Sequence, residues 1–174
     1  GFAHNDLKLE NILFRYPIKA GERFQIVLVD FGVATKVARP QGITPYISAP
    51  EQVGMMNLSQ APELNEGIDR KKVDVWGLGV ILYRMLGGQL PFDARSERTL
   101  TDRIVYSRPT SLRDLQGNIS SYLDDLIIDG CLAKEPSQRL NLLDVGRELR
   151  RLLGSSGEVT AQISNKSARQ LFKR

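Results

Sequence analysis

Two short apolar runs, separated by a polar turn, follow the first ten residues of the chain. Ile12–Phe14 has the length of a short strand, and Phe24–Asp30 is rich in β-branched residues, which favour strands. Tyr16–Glu22 contains a proline and a glycine, which favour a turn. The pattern predicts a β-hairpin that presents the polar residues before and after it on the same edge.

Helical spacing of apolar residues dominates the second half of the chain. Val73–Leu86 is apolar on nearly every side, which predicts a helix buried on all faces, begun by Asp74 as a capping carboxylate and ended by Gly87 and Gly88. Residues 33–72 lack periodicity and predict mostly loop, with a short helix near Pro50–Val53. Three further helices are predicted: Ser96–Val105, Ile119–Leu132 and Leu142–Leu153.

These elements predict an α+β fold that is mostly α, with one minor sheet. Hydrophobic residues make up 41% and charged residues 25% of the chain, which excludes a disordered chain, a collagen-like chain and a disulfide scaffold. A glycine- and serine-rich break after Leu153 divides a folded domain, residues 1–153, from a flexible tail, residues 154–174.

Charge, cysteine content and hydropathy indicate which partners, compartment and membrane association to expect. The tail carries four basic residues and one acidic residue, so it supplies +3 of the net charge of +4, and we expect no specific nucleic-acid binding. Cys131 is the only cysteine, which predicts a cytoplasmic or another reducing compartment. Glycine and arginine interrupt the longest apolar stretch, Val73–Leu90, so no membrane span is predicted.

The polar residues that flank the hairpin have the chemistry of a phosphoryl-transfer site. Asp6 can accept or orient a hydroxyl proton, and Lys8 can neutralise a phosphate oxygen. Asn11 and Asp30 offer the hard oxygen ligands that Mg²⁺ prefers. The first three lie in one loop and the fourth follows the next strand, so the conjunction indicates a functional site.

These motifs resemble the eukaryotic-type protein kinase family. The residues that carry the resemblance are the catalytic loop His4–Asn11, the triplet Asp30–Gly32, Thr44-Pro45, the segment Ala49–Glu51, the helix from Asp74 to Leu86, and Pro136–Arg139. The resemblance implies the C-terminal lobe of a kinase-like fold, with a hairpin that carries the catalytic loop and the Asp-Phe-Gly triplet. It also implies ATP-dependent phosphorylation of serine or threonine in protein substrates.

The resemblance assigns a role to each catalytic and cofactor residue. Asp6 is expected to be the catalytic base, and Lys8 the phosphate contact that favours serine/threonine over tyrosine. Thr44 is expected to bridge Asp6 and Lys8. Asn11 and Asp30 are expected to bind Mg²⁺ beside ATP.

The same resemblance assigns packing roles around the nucleotide. Leu13 is expected to lie under the adenine, with Ile81 and Met85 below it. His4 and Phe31 are expected to form part of a hydrophobic column that Asp74 anchors, and Arg139 is expected to pair with Glu51.

The chain also departs from the family pattern. Asn5 stands where most members carry the arginine that binds a phosphorylated activation loop, so we expect activation without loop phosphorylation. The resemblance starts at the catalytic loop, so we expect a large-lobe fragment whose small lobe is supplied by missing upstream sequence. We expect this chain alone to bind ATP weakly and to be impaired in catalysis.

Two alternative functions remain at this stage. A small-molecule kinase of the aminoglycoside or choline type fits His4-Asn5-Asp6 well, whereas Ala49–Glu51 and Arg139 favour a protein substrate. A non-catalytic kinase-like binding module, either a pseudokinase or a truncated product, is the other alternative.

Overall fold

The computed structural model describes residues 3–17, 25–31, 45–57 and 69–155 of the 174-residue chain. Its strands are β1 (Ile12–Phe14) and β2 (Ile26–Leu28). Its α-helices are α1 (Pro50–Asn57), α2 (Lys71–Gly87), α3 (Glu97–Tyr106), α4 (Leu112–Leu115), α5 (Ser121–Asp125) and α6 (Leu142–Ser155). Short 3₁₀ turns occupy Leu9–Asn11, Pro45–Ile47 and Pro136–Gln138, and a π-helical turn, Leu126–Cys131, continues α5. This part of the chain is mostly helical with a small sheet, as predicted.

The predicted hairpin is confirmed, with a shorter second strand than expected. β1 and β2 pair antiparallel, with Ile12 opposite Leu28. The ladder continues past the strand ends, because the amide of Val29 donates to the carbonyl oxygen of Asn11 at 3.0 Å. β2 spans three residues because β1, which follows a 3₁₀ turn directly, offers only three partners.

The predicted central helix is confirmed as α2, which is longer than expected by two residues at its start and one at its end. It ends where Gly88 adopts a φ of 75° and donates its amide to the carbonyl oxygen of Arg84. That left-handed conformation favours glycine, which explains the stop. Burial on every face was wrong, because Met85 is 49% exposed.

The core of the described residues forms around α2. The Trp76 indole stacks on Phe92 with ring centroids 5.9 Å apart and planes inclined by 8°. Helices that precede and follow α2 in the sequence contribute to this cluster. Its buried members include Val53, Val80, Tyr83, Leu100, Ile104, Leu112, Ile127 and Leu132. A second cluster joins α2 to the last helix through Val75, Cys131 and Val145.

Side-chain caps fix the starts of the later helices. Ser96 accepts the amide of Thr99 at the start of α3, and Asn141 accepts the amide of Asp144 at the start of α6. The prediction of a single helix over Ile119–Leu132 was partly right, because α5 widens into the π turn after Asp125. α6 runs two residues beyond the predicted end at Leu153, and residues 156–174 lie outside the described part.

Candidate functional site

The loop before β1 brings three predicted site residues into contact. The Nζ atom of Lys8 lies 2.8 Å from Oδ2 of Asp6, and these side chains are 18% and 19% exposed. The Asn11 amide nitrogen donates to the backbone oxygen of Asp6 at 2.8 Å and to its Oδ2 at 3.3 Å. The 3₁₀ turn Leu9–Asn11 makes these contacts possible, because it folds Asn11 back toward Asp6.

The hairpin places Asp30 next to this loop. Val29 pairs with Asn11 through the 3.0 Å amide–carbonyl bond, and Asp30 is the following residue. Leu13, which faces Val27 across the ladder, is 49% exposed. Thr44, the remaining predicted site residue, lies outside the described residues.

Backbone strain is concentrated at this site. Asn5 has a φ of 63° and Asp30 a φ of 61°, and no other non-glycine residue of the described ranges has a positive φ. Asparagine and aspartate tolerate this conformation better than most residues, yet it still costs about 1–3 kcal/mol. Asn5 precedes Asp6 directly, so both strained positions set the direction of a predicted catalytic or metal-binding carboxylate.

Asp74 caps the loop His4–Asn11, which corrects the expectation that it caps its own helix. α2 begins three residues earlier, at Lys71. The carboxylate of Asp74 instead accepts the backbone amides of His4 and Asn5, both at 2.8 Å. Burial raises the pKa of Asp74, although the two amides and the nearby His4 oppose the rise. The hydrogen bonds to the two amides therefore offset part of the cost of burying the carboxylate, and the same bonds hold the strained loop in place.

His4 links the loop to the second strand. Its side chain is buried, and its Nε2 lies 3.0 Å from the carbonyl oxygen of Val29. A carbonyl oxygen only accepts, so Nε2 carries the proton. The ring of His4 also lies 4.7 Å from the ring of Phe31, centroid to centroid. The predicted packing of His4 on Phe31, anchored through Asp74, is confirmed.

The predicted pairing of Arg139 with Glu51 is also confirmed. The two terminal guanidinium nitrogens lie 2.6 Å from the two carboxylate oxygens, in bidentate geometry. The guanidinium also donates to the carbonyl oxygens of Ala133, Lys72 and Lys134. It lies 5.0 Å from the centre of the Trp76 ring. This network fixes the start of α1 against the core.

Sequence reasoning missed Gln52, the next residue of α1. Its Oε1 accepts the amide of Ala49 at 2.9 Å, and its Nε2 donates to the carbonyl oxygen of Asn5 at 3.1 Å. Gln52 lies three residues after Ala49, which precedes the first residue of α1, and this is the position from which the glutamate or glutamine of a capping box reaches back to the helix start. Ala49 lacks the hydroxyl that completes that motif, and no local pattern predicts the contact with the loop His4–Asn11.

The donor chemistry of the site fits Mg²⁺ bound together with phosphate groups. Within the described ranges there is no cluster of three or more His, Cys, Asp or Glu side chains that could hold a metal ion by itself. Mg²⁺ is commonly held by one or two protein oxygens and the substrate phosphates. The amide nitrogen of Asn11 donates to Asp6, so its oxygen, Oδ1, is the side-chain atom with the chemistry of a cation ligand.

Among the described residues, no helix combines the length and the apolar character that crossing a bilayer requires.

The chain is similar in sequence to known protein kinases. Residues 1–148 match the family model described as protein kinase domain. The chain is 31% identical to mouse serine/threonine-protein kinase H1 over 84% of this chain and 33% of that protein. It is 38% identical to mouse sperm motility kinase 3A over 73% of this chain and 22% of that protein.

A bacterial relative gives a similar result. The chain is 32% identical to the serine/threonine-protein kinase PkaB of Streptomyces coelicolor, over 88% of this chain and 35% of that protein. The chain therefore spans about a third or less of the length of these three relatives.

Proposed function

The chain belongs to the protein kinase domain family, and from this premise we propose that it transfers the γ-phosphoryl group of ATP to serine or threonine hydroxyls of protein substrates. One observation carries the proposal. Asp6, Lys8 and Asn11 are held in mutual contact in one loop, beside the strand end that presents Asp30. Two relatives that are 31% and 32% identical to this chain are named as serine/threonine-protein kinases.

Asp6 is the proposed catalytic base. In phosphoryl transfer a carboxylate accepts the proton of the attacking hydroxyl or holds that hydroxyl in line. Its Oδ2 is held by Lys8 and Asn11, at 2.8 and 3.3 Å. Lys8 is placed to move from this ion pair to an oxygen of the transferred phosphate, where it offsets negative charge.

Asn11 and Asp30 are the proposed residues for Mg²⁺, which supplies charge neutralisation at the phosphates when it is bound. Leu13 is the proposed apolar contact for the adenine. The Leu13 side chain is 49% exposed, which leaves apolar surface for a planar ring. The Met85 side chain is also 49% exposed and offers the same kind of surface. Ile81 is buried, at 5% exposed, so it supports this surface from below rather than forming it.

One observation disfavours each of the two alternatives. The Glu51–Arg139 ion pair anchors the segment Ala49–Glu51 at the start of α1, which favours a protein substrate over a small molecule. Asp6, Lys8, Asn11 and Asp30 are all present, which favours an enzyme over a non-catalytic binding module. Phosphorylation of an aminoglycoside or choline, with no transfer to peptides, would favour the first alternative.

Phosphotransfer from radiolabelled ATP tests the proposal. The 174-residue chain, and any longer natural form of the protein, would be incubated with Mg-ATP and peptides that present serine, threonine or tyrosine. We expect label on serine and threonine, and weaker activity in the 174-residue chain than in a form that also supplies a glycine-rich loop and a lysine-bearing strand.

An Asp6→Asn variant isolates the proposed base. We expect it to lose activity by about 10²–10⁴-fold, the usual contribution of a general base. Asp114→Asn, the same change at an exposed position of α4, is the matched control. Equal activity of Asp6→Asn and the wild type would refute the role of Asp6. Absence of label in every form would refute the proposed function.

A further inference from the structure

Gln52 bridges the start of α1 and the catalytic loop with the two ends of one amide group. A backbone N–H only donates, so the atom that faces Ala49 must be the oxygen, Oε1, at 2.9 Å. The nitrogen, Nε2, therefore faces Asn5 and donates to its carbonyl oxygen at 3.1 Å. The hydrogen-bond partners fix the orientation of the amide, and Asn5 lies 47 residues away along the chain.

The bridge completes the restraint of a strained residue. Asn5 has a φ of 63°, its N–H donates to Asp74 at 2.8 Å, and its C=O accepts from Gln52. A residue in this conformation keeps it only when the surroundings restrain it. Asp74 and Gln52 supply that restraint from two different helices, α2 and α1.

The restrained carbonyl belongs to the peptide unit that leads into Asp6. A peptide unit is planar, so the direction of the Asn5 carbonyl also sets the direction of the Asp6 amide and the position of its Cα. Gln52 therefore acts on the backbone from which the Asp6 carboxylate projects. The carboxylate itself is held by Lys8 and Asn11.

The other end of the bridge is equally well anchored. Gln52 follows Glu51, which Arg139 holds through two bonds of 2.6 Å, and the Glu51 side chain is 9% exposed. Ala49, whose N–H donates to Gln52, is fully buried. A rigid helix start thus holds the catalytic loop, and a displacement of α1 changes the position of Asp6.

We propose that Gln52 is a positioning residue that sets the orientation of Asp6 through the carbonyl of Asn5, and so couples the start of α1 to catalysis. This inference deepens the proposed function and rests on it. The hydrogen bond between Gln52 and Asn5 joins uncharged groups, so it does not require a phosphorylated loop. This agrees with Asn5, which stands where most members of the family carry the arginine that binds such a phosphate. Nothing in that hydrogen bond depends on a bound ligand.

Gln52→Glu separates the two bonds. An ionised glutamate still accepts the amide of Ala49, so this contact at the helix start stays. It has no hydrogen to donate, so it repels the carbonyl oxygen of Asn5. We expect kcat to fall about tenfold with little change in KM, and Tm to fall less than in a variant that loses both bonds. Gln52→Ala loses both bonds, so kcat and Tm should fall together.

Lowering the pH should restore part of the kcat of Gln52→Glu, an effect that a purely structural role of Gln52 would not produce. A protonated glutamate donates through its O–H, so the kcat of Gln52→Glu relative to wild type should rise as the pH falls toward the range where glutamate protonates. Gln116→Glu, the same change at an exposed position after α4, should leave both kcat and its pH profile at the wild-type values. A kcat that follows Tm in every variant would overturn the inference.

A spectroscopic readout keeps this test independent of phosphotransfer. The ¹³C shift of the Asn5 carbonyl and the hydrogen exchange of the Asp6 amide would be measured in the wild type and in Gln52→Glu. We expect the carbonyl shift to move and the amide to exchange at least tenfold faster. Unchanged values in Gln52→Glu would overturn the inference even if the protein is inactive. If the wild type is inactive but the variant shows these changes, only the proposed function is refuted.

Discussion

Arg139 holds Glu51 through two parallel bonds of 2.6 Å across 88 residues of sequence. The Arg139 side chain is fully buried, and its partner is 9% exposed. A buried ion pair of this kind contributes little net stability relative to an apolar pair, but removal of one partner leaves an uncompensated buried charge. The pair is therefore a strict structural requirement for the position of α1.

Loss of one partner of this pair is expected to be severe. Glu51→Ala should lower the free energy of unfolding by about 3–5 kcal/mol, because the guanidinium stays buried without its carboxylate. Urea denaturation followed by circular dichroism measures the change. Arg147→Ala, which removes the exposed pair with Asp144, serves as the control and should change stability by less than about 1 kcal/mol. Similar losses in the two variants would contradict this account.

Removal of the Asp74 charge should loosen the loop His4–Asn11. Asp74→Asn replaces one acceptor oxygen by an NH₂ group that faces a backbone donor, so one of the amides of His4 and Asn5 loses its partner. We expect a loss of about 1–3 kcal/mol in stability and faster hydrogen exchange at both amides. Asp125→Asn, at an exposed position of α5, is the control. Unchanged exchange at both amides would show that Asp74 does not hold the loop.

Two glycines inside helices should respond to alanine with opposite signs. A Cβ at Gly79 would lie 2.7 Å from Cβ of Cys131 and 2.9 Å from Cδ2 of Leu132, so Gly79→Ala should destabilise the protein by about 1–3 kcal/mol. At Gly146 the nearest atom is the end of the Arg150 side chain, at 3.7 Å.

The second substitution therefore gains helix propensity without a clash. Gly146→Ala should stabilise the protein by about 0.5–1 kcal/mol. Chemical denaturation of the two variants measures both changes on one scale. Stabilisation by Gly79→Ala would mean that the backbone of α2 moves away from Cys131 without loss, and destabilisation by Gly146→Ala would contradict the gain in helix propensity.

Lys134 should make stability rise with pH in the alkaline range. Burial, with a smaller contribution from Arg139, lowers the pKa of Lys134 from 10.5 to about 8. Its ammonium lies 3.9 Å from the centre of the Phe92 ring. Between pH 8 and 10.5 the unfolded chain binds this proton and the folded chain does not, so the free energy of unfolding increases with pH.

Comparison with Lys134→Met isolates this contribution from other groups that titrate at alkaline pH. Methionine keeps the apolar stem against Phe92 and carries no proton, so the variant should lack this part of the increase. Denaturation midpoints at several pH values from 7 to 10.5 provide the measurement. Parallel profiles for the wild type and the variant would show that Lys134 has an ordinary pKa in the folded protein.

Local sequence patterns were sufficient for most elements. The hairpin follows from two apolar runs and a turn, and the end of α2 follows from Gly88. The grouping of Asp6, Lys8 and Asn11 was also predictable, because they lie within six residues of one loop. Asp30 could be added because the strand pairing carries it to the same edge.

Local patterns did not determine which distant groups meet. The family resemblance predicted the Arg139–Glu51 pair and the anchoring by Asp74, whereas the tertiary structure alone showed which two amides Asp74 accepts and the bond from Gln52. The direction of Asp74 toward His4 and Asn5 depends on contacts across 70 and 69 residues, and the bond from Gln52 to Asn5 spans 47. Local propensity is set by neighbours within about one helical turn, so it predicts where helices begin and end. The packing of the helices determines that the amides of His4 and Asn5 meet the buried carboxylate of Asp74, and no pattern within one segment contains that information.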